Sequence, residues 1–206
     1  MWGIVEDNTI TKIINNPKAL VIGDTRHSKN IFELWSKSEL EAIGIYEVEF
    51  DDTNKKNEQW YINTNQSFAF AGGKITASYG TATAKAHADT KWTQSEIDAG
   101  KAPSGADTNT VKVEGLKTKL IKTVKQQAAD ELQKTDWYIV RKADAGTAVP
   151  SAITTHRAAV RTKAAEQETA ITNAADTPAL ETLHTYTEQE DGSITRPLGE
   201  LPRLES

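Results

Sequence analysis

No cysteine occurs anywhere in the 206 residues. Disulfides and thiolate metal sites are therefore excluded, and the composition leaves the redox compartment unread. Long hydrophobic runs are also missing. No stretch approaches the roughly 18 apolar residues that a membrane span needs. The opening MWGIVEDNTITKII has no basic region followed by an apolar run, so no secretory signal is expected there. Positive charge is not in excess either. The formal net charge is -5, and phosphate contacts ordinarily need a basic surface, so nucleic acid is not an expected partner. Apolar residues make up 37% and charged residues 26% of the chain. That polar balance points to an elongated or two-part molecule instead of one deep core.

Spacings that carry chemistry are absent as well. Histidines stand at 27, 87, 156 and 184, with no second histidine at ligand spacing and no HExxH. No GxSxG occurs, nor any triad spacing. Asp51-Asp52 and the run Glu188 to Asp191 are acidic clusters in turn and tail contexts. There, solvated charge outweighs a cation site or a glycosidase pair. The expectation is a non-enzymatic chain with no metal and no cofactor.

What is present in the first eighty residues is mostly strand. Trp2 to Val5 and Thr9 to Ile14 are β-rich runs around a turn at Glu6-Asp7-Asn8. Their apolar residues do not sort cleanly by alternation, which leaves the register open. Asn15-Asn16-Pro17 ends the second run, since proline cannot donate to a ladder. Ala19 to Ile22 is a candidate third strand. Ser36-Lys37-Ser38-Glu39 has the form of a capping box, with Trp35 and Leu40 at the positions of a hydrophobic staple. A short helix over about 37–43 should follow, ended by Gly44. Ile45 to Phe50 alternates Tyr46, Val48 and Phe50 against Glu47 and Glu49, as a half-buried strand does. The strongest hairpin runs from Phe68 to Tyr79. Gly72-Gly73 forms its loop and places Phe70 opposite Ile75 and Phe68 opposite Ala77. A phosphate-cradling role for that glycine pair is disfavoured, because neither Lys-Ser/Thr nor a helix start follows it.

The stretch 81–110 is rich in Ala, Thr, Asp, Gly and Lys and reads as a linker. Inside it, Trp92-Thr93-Gln94-Ser95-Glu96-Ile97 repeats the earlier capping device. Beyond it, Val113, Leu116, Leu120, Ile121, Val124, Ala128 and Leu132 recur at spacings of three and four, predicting one amphipathic helix that starts near Gly115. Lys117, Lys119, Lys122 and Lys125 read as its solvated face. Thr135 can cap a new turn with Asp136 at its N-terminus, and Trp137 with Ile139 or Val140 should pack back on the first helix. Gly146 stops this piece and Pro150 suits the first turn of the next. A second long helix is predicted over about 151–175. Its narrow stripe is Ile153, Val160, Ala164 and Ile171, flanked by many alanines. Such a stripe buries little area per residue and needs partners. Thr177-Pro178 should open a last short helix, ending near Tyr186.

Three segments resemble proteins of tailed bacteriophages. SELEAIGIYEVEFDD, residues 38–52, resembles a motif of tail-associated virion proteins. LQKTDWYIVRKADAGTAVPSAITTHRAAVRTKAAE, residues 132–166, is similar to the C-terminal region of tail assembly chaperone-like and tail-fibre-associated proteins. The matching positions there are Leu132, Thr135, Asp136, Trp137, Arg141, Pro150, Arg157 and Arg161, with His156 standing where such proteins often carry tyrosine. ITRPLGELP, residues 194–202, resembles the ending of some phage structural proteins. The resemblance covers about half the chain. It implies a structural component of a tail, baseplate or fibre attachment, made in the bacterial cytoplasm and carried in the virion, or an assembly chaperone absent from the finished particle. The partners it implies are other virion proteins and further copies of the chain, with a trimer as the number by analogy to fibres.

The combined expectation is an α+β chain. It comprises N-terminal antiparallel β hairpins with a short helix over 1–80, a polar connector with a short capped helix over 81–110, a helical hairpin of two long helices over 111–186, and an extended tail over 187–206. The expected packing and interaction residues are Trp137, Ile153, Val160, Ala164 and Ile171.

Overall fold

The structure is a computed structural model, describing residues 1–64 and 66–204. It is mixed α+β, and it divides into two compact units, Met1–Thr83 and Ala84–Ser206.

The first unit contains β1 (Trp2–Glu6), β2 (Thr9–Ile14), β3 (Leu20–Ile22), β4 (Thr25–His27), α1 (Ile31–Leu34), α2 (Lys37–Ala42), β5 (Ile45–Asp51), β6 (Tyr61–Ile62), β7 (Ser67–Ala71) and β8 (Lys74–Ser78). Five strands form one sheet in the order β2-β1-β5-β8-β7. Two hairpins are set locally. Asp7 and Asn8 both take positive φ, 49° and 58°, as do Gly72 and Gly73, 60° and 76°. Two-residue loops of this hand match the strand twist. The second hairpin has the expected register, Phe70 opposite Ile75 and Phe68 opposite Ala77. The Ser36–Glu39 box forms, with both reciprocal bonds present, while Trp35 lies edge-on to His27 at 5.6 Å.

Between these hairpins the sheet does something alternation does not announce. β5 pairs with β8 in parallel, Val48 beside Ile75, whereas only antiparallel hairpins were expected. The β1 strand sits between β2 and β5 and is covered on both faces. Ile4 joins a cluster with Ile14, Leu20, Ile31, Phe32, Leu40 and Ile45. On the other side Val48, Ile75 and Ala77 form a second cluster, joined by Met1, Val5, Ile10, Tyr46, Phe68 and Phe70. Two-sided burial is why no clean period of two is visible in β1. A Cβ on Gly3 would lie 2.3 Å from Ile75 Cδ1, so any larger residue there would turn the Ile75 side chain aside. Of the three apolar residues on the alternating face of β5, Val48 is buried, but Phe50 is 54% exposed. The strand runs past the edge of the core beneath it.

The second unit contains β9 (Thr83–Ala84, at the boundary), β10 (Thr90–Lys91), α3 (Gln94–Asp98), β11 (Val111–Val113), α4 (Leu116–Gln133), α5 (Asp136–Ala145), α6 (Ser151–Asn173), α7 (Thr177–His184), β12 (Thr187–Glu188) and β13 (Ile194–Thr195). The helices α4 and α6 pack together as the predicted helical hairpin. Val124 and Ala128 of α4 and Ile153, Val160, Ala164 and Ile171 of α6 are all buried. Lys117 Nζ donates to the Thr172 carbonyl of α6 at 2.8 Å, and Lys125 pairs with Glu168 at 3.4 Å. Two lysines of the expected solvated face thus reach the partner helix.

Two segments expected to be loose are bonded into this unit. The 81–110 stretch supplies β10, which pairs with β11, and it caps α4. Asp89 accepts from Gly115 N–H at 2.8 Å and from the Thr118 hydroxyl at 2.9 Å. Leu116 and Lys117 donate their N–H groups to the carbonyls of Ala86 and His87. Four N-terminal N–H groups of any helix lack an internal acceptor, and here a remote segment supplies acceptors. The approach is close enough that a Cβ on Gly115 would lie 2.4 Å from Ala88 backbone atoms. The tail was expected to be extended over 187–206, but within its described residues it forms the β12–β13 hairpin. It then buries Leu198 and accepts, through the Gly199 carbonyl, from the Gln167 amide of α6 at 2.9 Å.

Candidate docking site

The turn between α4 and α5 is clamped by a buried cation. Arg157, on α6, points Nη1 into the turn and donates to the Leu132 carbonyl at 2.7 Å, to Thr135 Oγ1 at 2.7 Å and to Asp136 Oδ1 at 2.8 Å. Thr135 is 1% exposed, and its own hydroxyl donates back to the Leu132 carbonyl at 3.0 Å. It therefore stands at the N-cap position without making the expected side-chain cap. Hydrogen bonds to an ionised group are roughly twice as strong as neutral ones, so this clamp fixes where α5 starts and which way it leaves.

What the clamp presents is a helix with no buried residue. Trp137 is 52% exposed, Val140 65% and Ile139 42%. The expectation that Trp137 packs back on the first helix is thus corrected. Arg157 and Thr135 occupy the inner side of the turn, and Trp137, two residues past Thr135, faces out. There it stacks locally. The Trp137 and Tyr138 ring centroids are 4.0 Å apart, and the Arg141 guanidinium carbon lies 4.6 Å from the Trp137 ring and 5.5 Å from the Tyr138 ring. Trp137 and Arg141 are four apart on the helix, the spacing that makes side chains neighbours. Cation–π contacts at such exposed places contribute about 0.5–1 kcal/mol. Neither Arg141 nor Lys142 has an ion-pair partner among the described residues. Gly146 ends α5 in the left-handed conformation, φ 68°.

The remaining expected packing residues take a different place. Ile153, Val160, Ala164 and Ile171 are between 0% and 7% exposed. The stripe that suggested a need for other subunits is covered within the chain, by α4 and the elements around it.

A second feature lies under the C-terminal segment. A cleft of about 560 Å³ is lined by Gln127, Glu131, Gln167, Tyr186, Arg196, Glu200, Leu201 and Arg203. Much of its polar chemistry is self-satisfied. Arg196 Nη2 donates to Glu200 Oε2 at 3.1 Å and its guanidinium sits 5.1 Å from the Tyr186 ring, while the Tyr186 hydroxyl donates to Glu200 Oε1 at 2.7 Å. Glu131 accepts from Lys134 and from Leu204 N–H. The Lys134 ammonium holds the Glu131 carboxyl below the usual carboxylate range. His156 Nε2 lies 3.3 Å from Glu131 Oε1 without the alignment of a hydrogen bond. The cleft is the seam by which the C-terminal segment is attached to α4 and α6.

His184 Nδ1 donates to the Leu180 carbonyl at 2.7 Å, and burial pulls its pKa down. Among the described residues no group of three or more His, Cys, Asp or Glu side chains could hold a metal ion, and no helix is long and apolar enough to cross a membrane. Sequence reasoning missed the clamp as a unit, although Thr135, Asp136, Arg141 and Arg157 all fall in the phage-like segment 132–166. The available signal was a Thr-Asp pair at a helix break followed by an arginine on the next helix. Comparison with protein-family models, curated proteins and solved structures gave no match.

Proposed function

We propose that this chain is a non-enzymatic structural component of a tailed-phage particle, in the tail, baseplate or fibre attachment, and that it works by subunit docking. The observation that carries the docking is α5, a helix without a buried residue, held by the Arg157 clamp and presenting a pre-stacked Trp137, Tyr138 and Arg141. Trp, Tyr and Arg are the residue types that dominate binding energy at protein interfaces. Stacking before binding lowers the ordering cost of association. The phage assignment rests on the resemblance of residues 132–166, whose matching positions include the clamp residues and, from the cluster, Trp137 and Arg141.

Mass spectrometry of purified particles of the encoding phage tests the reading. The expected result is the chain at a fixed stoichiometry in the particle. Its presence in infected-cell lysate together with absence from particles would replace this reading with that of an assembly chaperone.

A further inference from the structure

The C-terminal segment is fastened differently on the two sides of Gly199. Up to that residue its anchors do not titrate. Leu198 is 4% exposed and donates its N–H to the Leu183 carbonyl at 3.0 Å, and the Gln167 amide donates to the Gly199 carbonyl at 2.9 Å. Gly199 takes positive φ, 68°, and turns the chain. Beyond it, Glu200, Leu201 and Arg203 share the lining of the 560 Å³ cleft with Gln127 and Glu131 of α4, and Leu204 is 39% exposed. The Glu200 bonds go to Arg196 and Tyr186, not to the long helices. Among the described residues, one hydrogen bond ties 200–204 to α4 or α6: Leu204 N–H donates to Glu131 Oε1 at 3.3 Å. At 8% exposure, Glu131 is also the one buried carboxylate among the described residues.

We propose that the chain beyond Gly199 is a strap, latched to α4 by the Glu131 carboxylate and released when that carboxylate takes a proton. A hydrogen bond to an ionised acceptor is roughly twice as strong as one to a neutral acceptor, so protonation weakens the single bond that holds the strap to the helices. Leu198 and Gly199 stay seated, because neither burial of an aliphatic group nor an amide bond depends on pH. Release uncovers α4 at Gln127 and Glu131. The charged groups around the latch set its direction. Lys134, at the end of α4, pairs with Glu131 Oε2, His156 Nε2 of α6 lies 3.3 Å from Oε1, and Arg196, Glu200 and Arg203 share the cleft. Arg157, next to His156, is engaged in the turn clamp. Lys134 foremost, then Leu204 N–H and the His156 charge, hold the Glu131 carboxyl below its ordinary value of 4.5 against the opposing effect of burial. A protonated His156 favours the carboxylate and so keeps the latch closed. The latch is complete above 4.5 and is lost as the pH falls through the lower, folded value.

The test is the backbone heteronuclear NOE of the full chain by NMR, from about pH 7 down to about pH 3. In the wild type, Arg203 and Leu204 are expected to be as ordered as Leu198 at neutral pH. They should turn as loose as a free terminus in acid, at a pH where Leu198 and the amides of α4 and α6 are still ordered. Glu131→Gln, which carries the neutral charge of the protonated acid, should show the loose strap already at neutral pH and little further change on acidification. Leu204→Pro removes the donor without touching a helix. It should free the strap at neutral pH and raise the pH at which the Glu131 carboxyl titrates, since proton binding and strap binding are reciprocal. Intact α4 and α6 amides in this variant exclude misfolding as the cause. A Leu204 that stays ordered in acid and in Glu131→Gln overturns the proposal. So does a wild-type strap that is loose at neutral pH, or a Glu131 titration that Leu204→Pro leaves unmoved.

Discussion

The two units solve the problem of holding a fold together in different ways. In the first, the interior is made of large apolar side chains from strands and short helices, Ile4, Ile14, Leu20, Phe32, Leu40, Ile45 and Ile75 among them. All the polar residues found buried, Glu131, Thr135, His156, Arg157, Gln167 and Thr177, lie in the second. Its helix pair buries Val124, Ile153, Val160 and Ile171 together with the small Ala128 and Ala164. Its connections, from the α4 cap to the Arg157 clamp and the Gln167 contact, are polar and directional. Volume stabilises the first unit without saying much about angle. Paired polar groups add less net stability but fix geometry, because a misplaced partner leaves a buried group unsatisfied. Under the docking role proposed above, a unit that presents α5 in one orientation gains from the second solution.

The sharpest way to break this contrast is a truncation in the first unit. Ile75 is fully buried against Gly3 and Val48, so Ile75→Ala should cost about 4 kcal/mol through lost transfer energy and a cavity. Urea denaturation of the full chain measures it, and a cost near 1 kcal/mol would mean that the cluster is not close-packed.

Next comes Arg157→Met, expected to cost about 3 kcal/mol because it leaves the buried Thr135 oxygen without its donor and Asp136 without its cation, although the Leu132 carbonyl keeps the Thr135 hydroxyl. If directionality is what the clamp supplies, adding Thr135→Val should recover part of that loss, since removing both partners costs less than removing one. A double variant no more stable than the single would place the value of Arg157 in its packing instead.

Gly115→Ala is expected to cost about 2 kcal/mol by forcing the Ala88 backbone away. Its clearest signature should be faster amide exchange at Leu116 and Lys117.

The same cap should respond to acid. Gly115 N–H and the Thr118 hydroxyl hold the Asp89 carboxyl below its ordinary range. A depressed carboxylate contributes stability above its unfolded value, near 3.8, and loses that contribution as the pH falls through the folded one. Asp89→Asn should therefore flatten the acid limb of unfolding below about pH 4. An unchanged limb would show that the cap contributes nothing measurable.

The smallest effect on stability belongs to Trp137→Ala. At 52% exposure it should change the unfolding free energy by no more than about 0.5 kcal/mol. A loss of several kcal/mol would show that Trp137 is a packing residue after all.

What could be read from the sequence was whatever is decided within a few residues. Ser36–Glu39 and Thr93–Glu96 both form capping boxes, and the Gly72-Gly73 loop sets the register of its hairpin. The 3.6-residue period found α4 and the buried stripe of α6, and Gly146 ended α5 where a glycine should. These features depend on local backbone geometry and on neighbouring side chains, so the tertiary context had little to add. Only the assembled chain decided the rest. The parallel β5–β8 pairing, the Asp89 cap on Gly115 twenty-six positions away and the seating of Leu198 depend on partners far off in sequence. A polar segment looks like linker or tail until an unsatisfied helix end or carbonyl arrives to receive it. Trp137 shows the converse. Its composition suggested burial, but the inside of its turn was already filled by the guanidinium of Arg157, a residue with the chain length to reach three acceptors at once. The aromatic ring was left to the surface, where it can meet a partner.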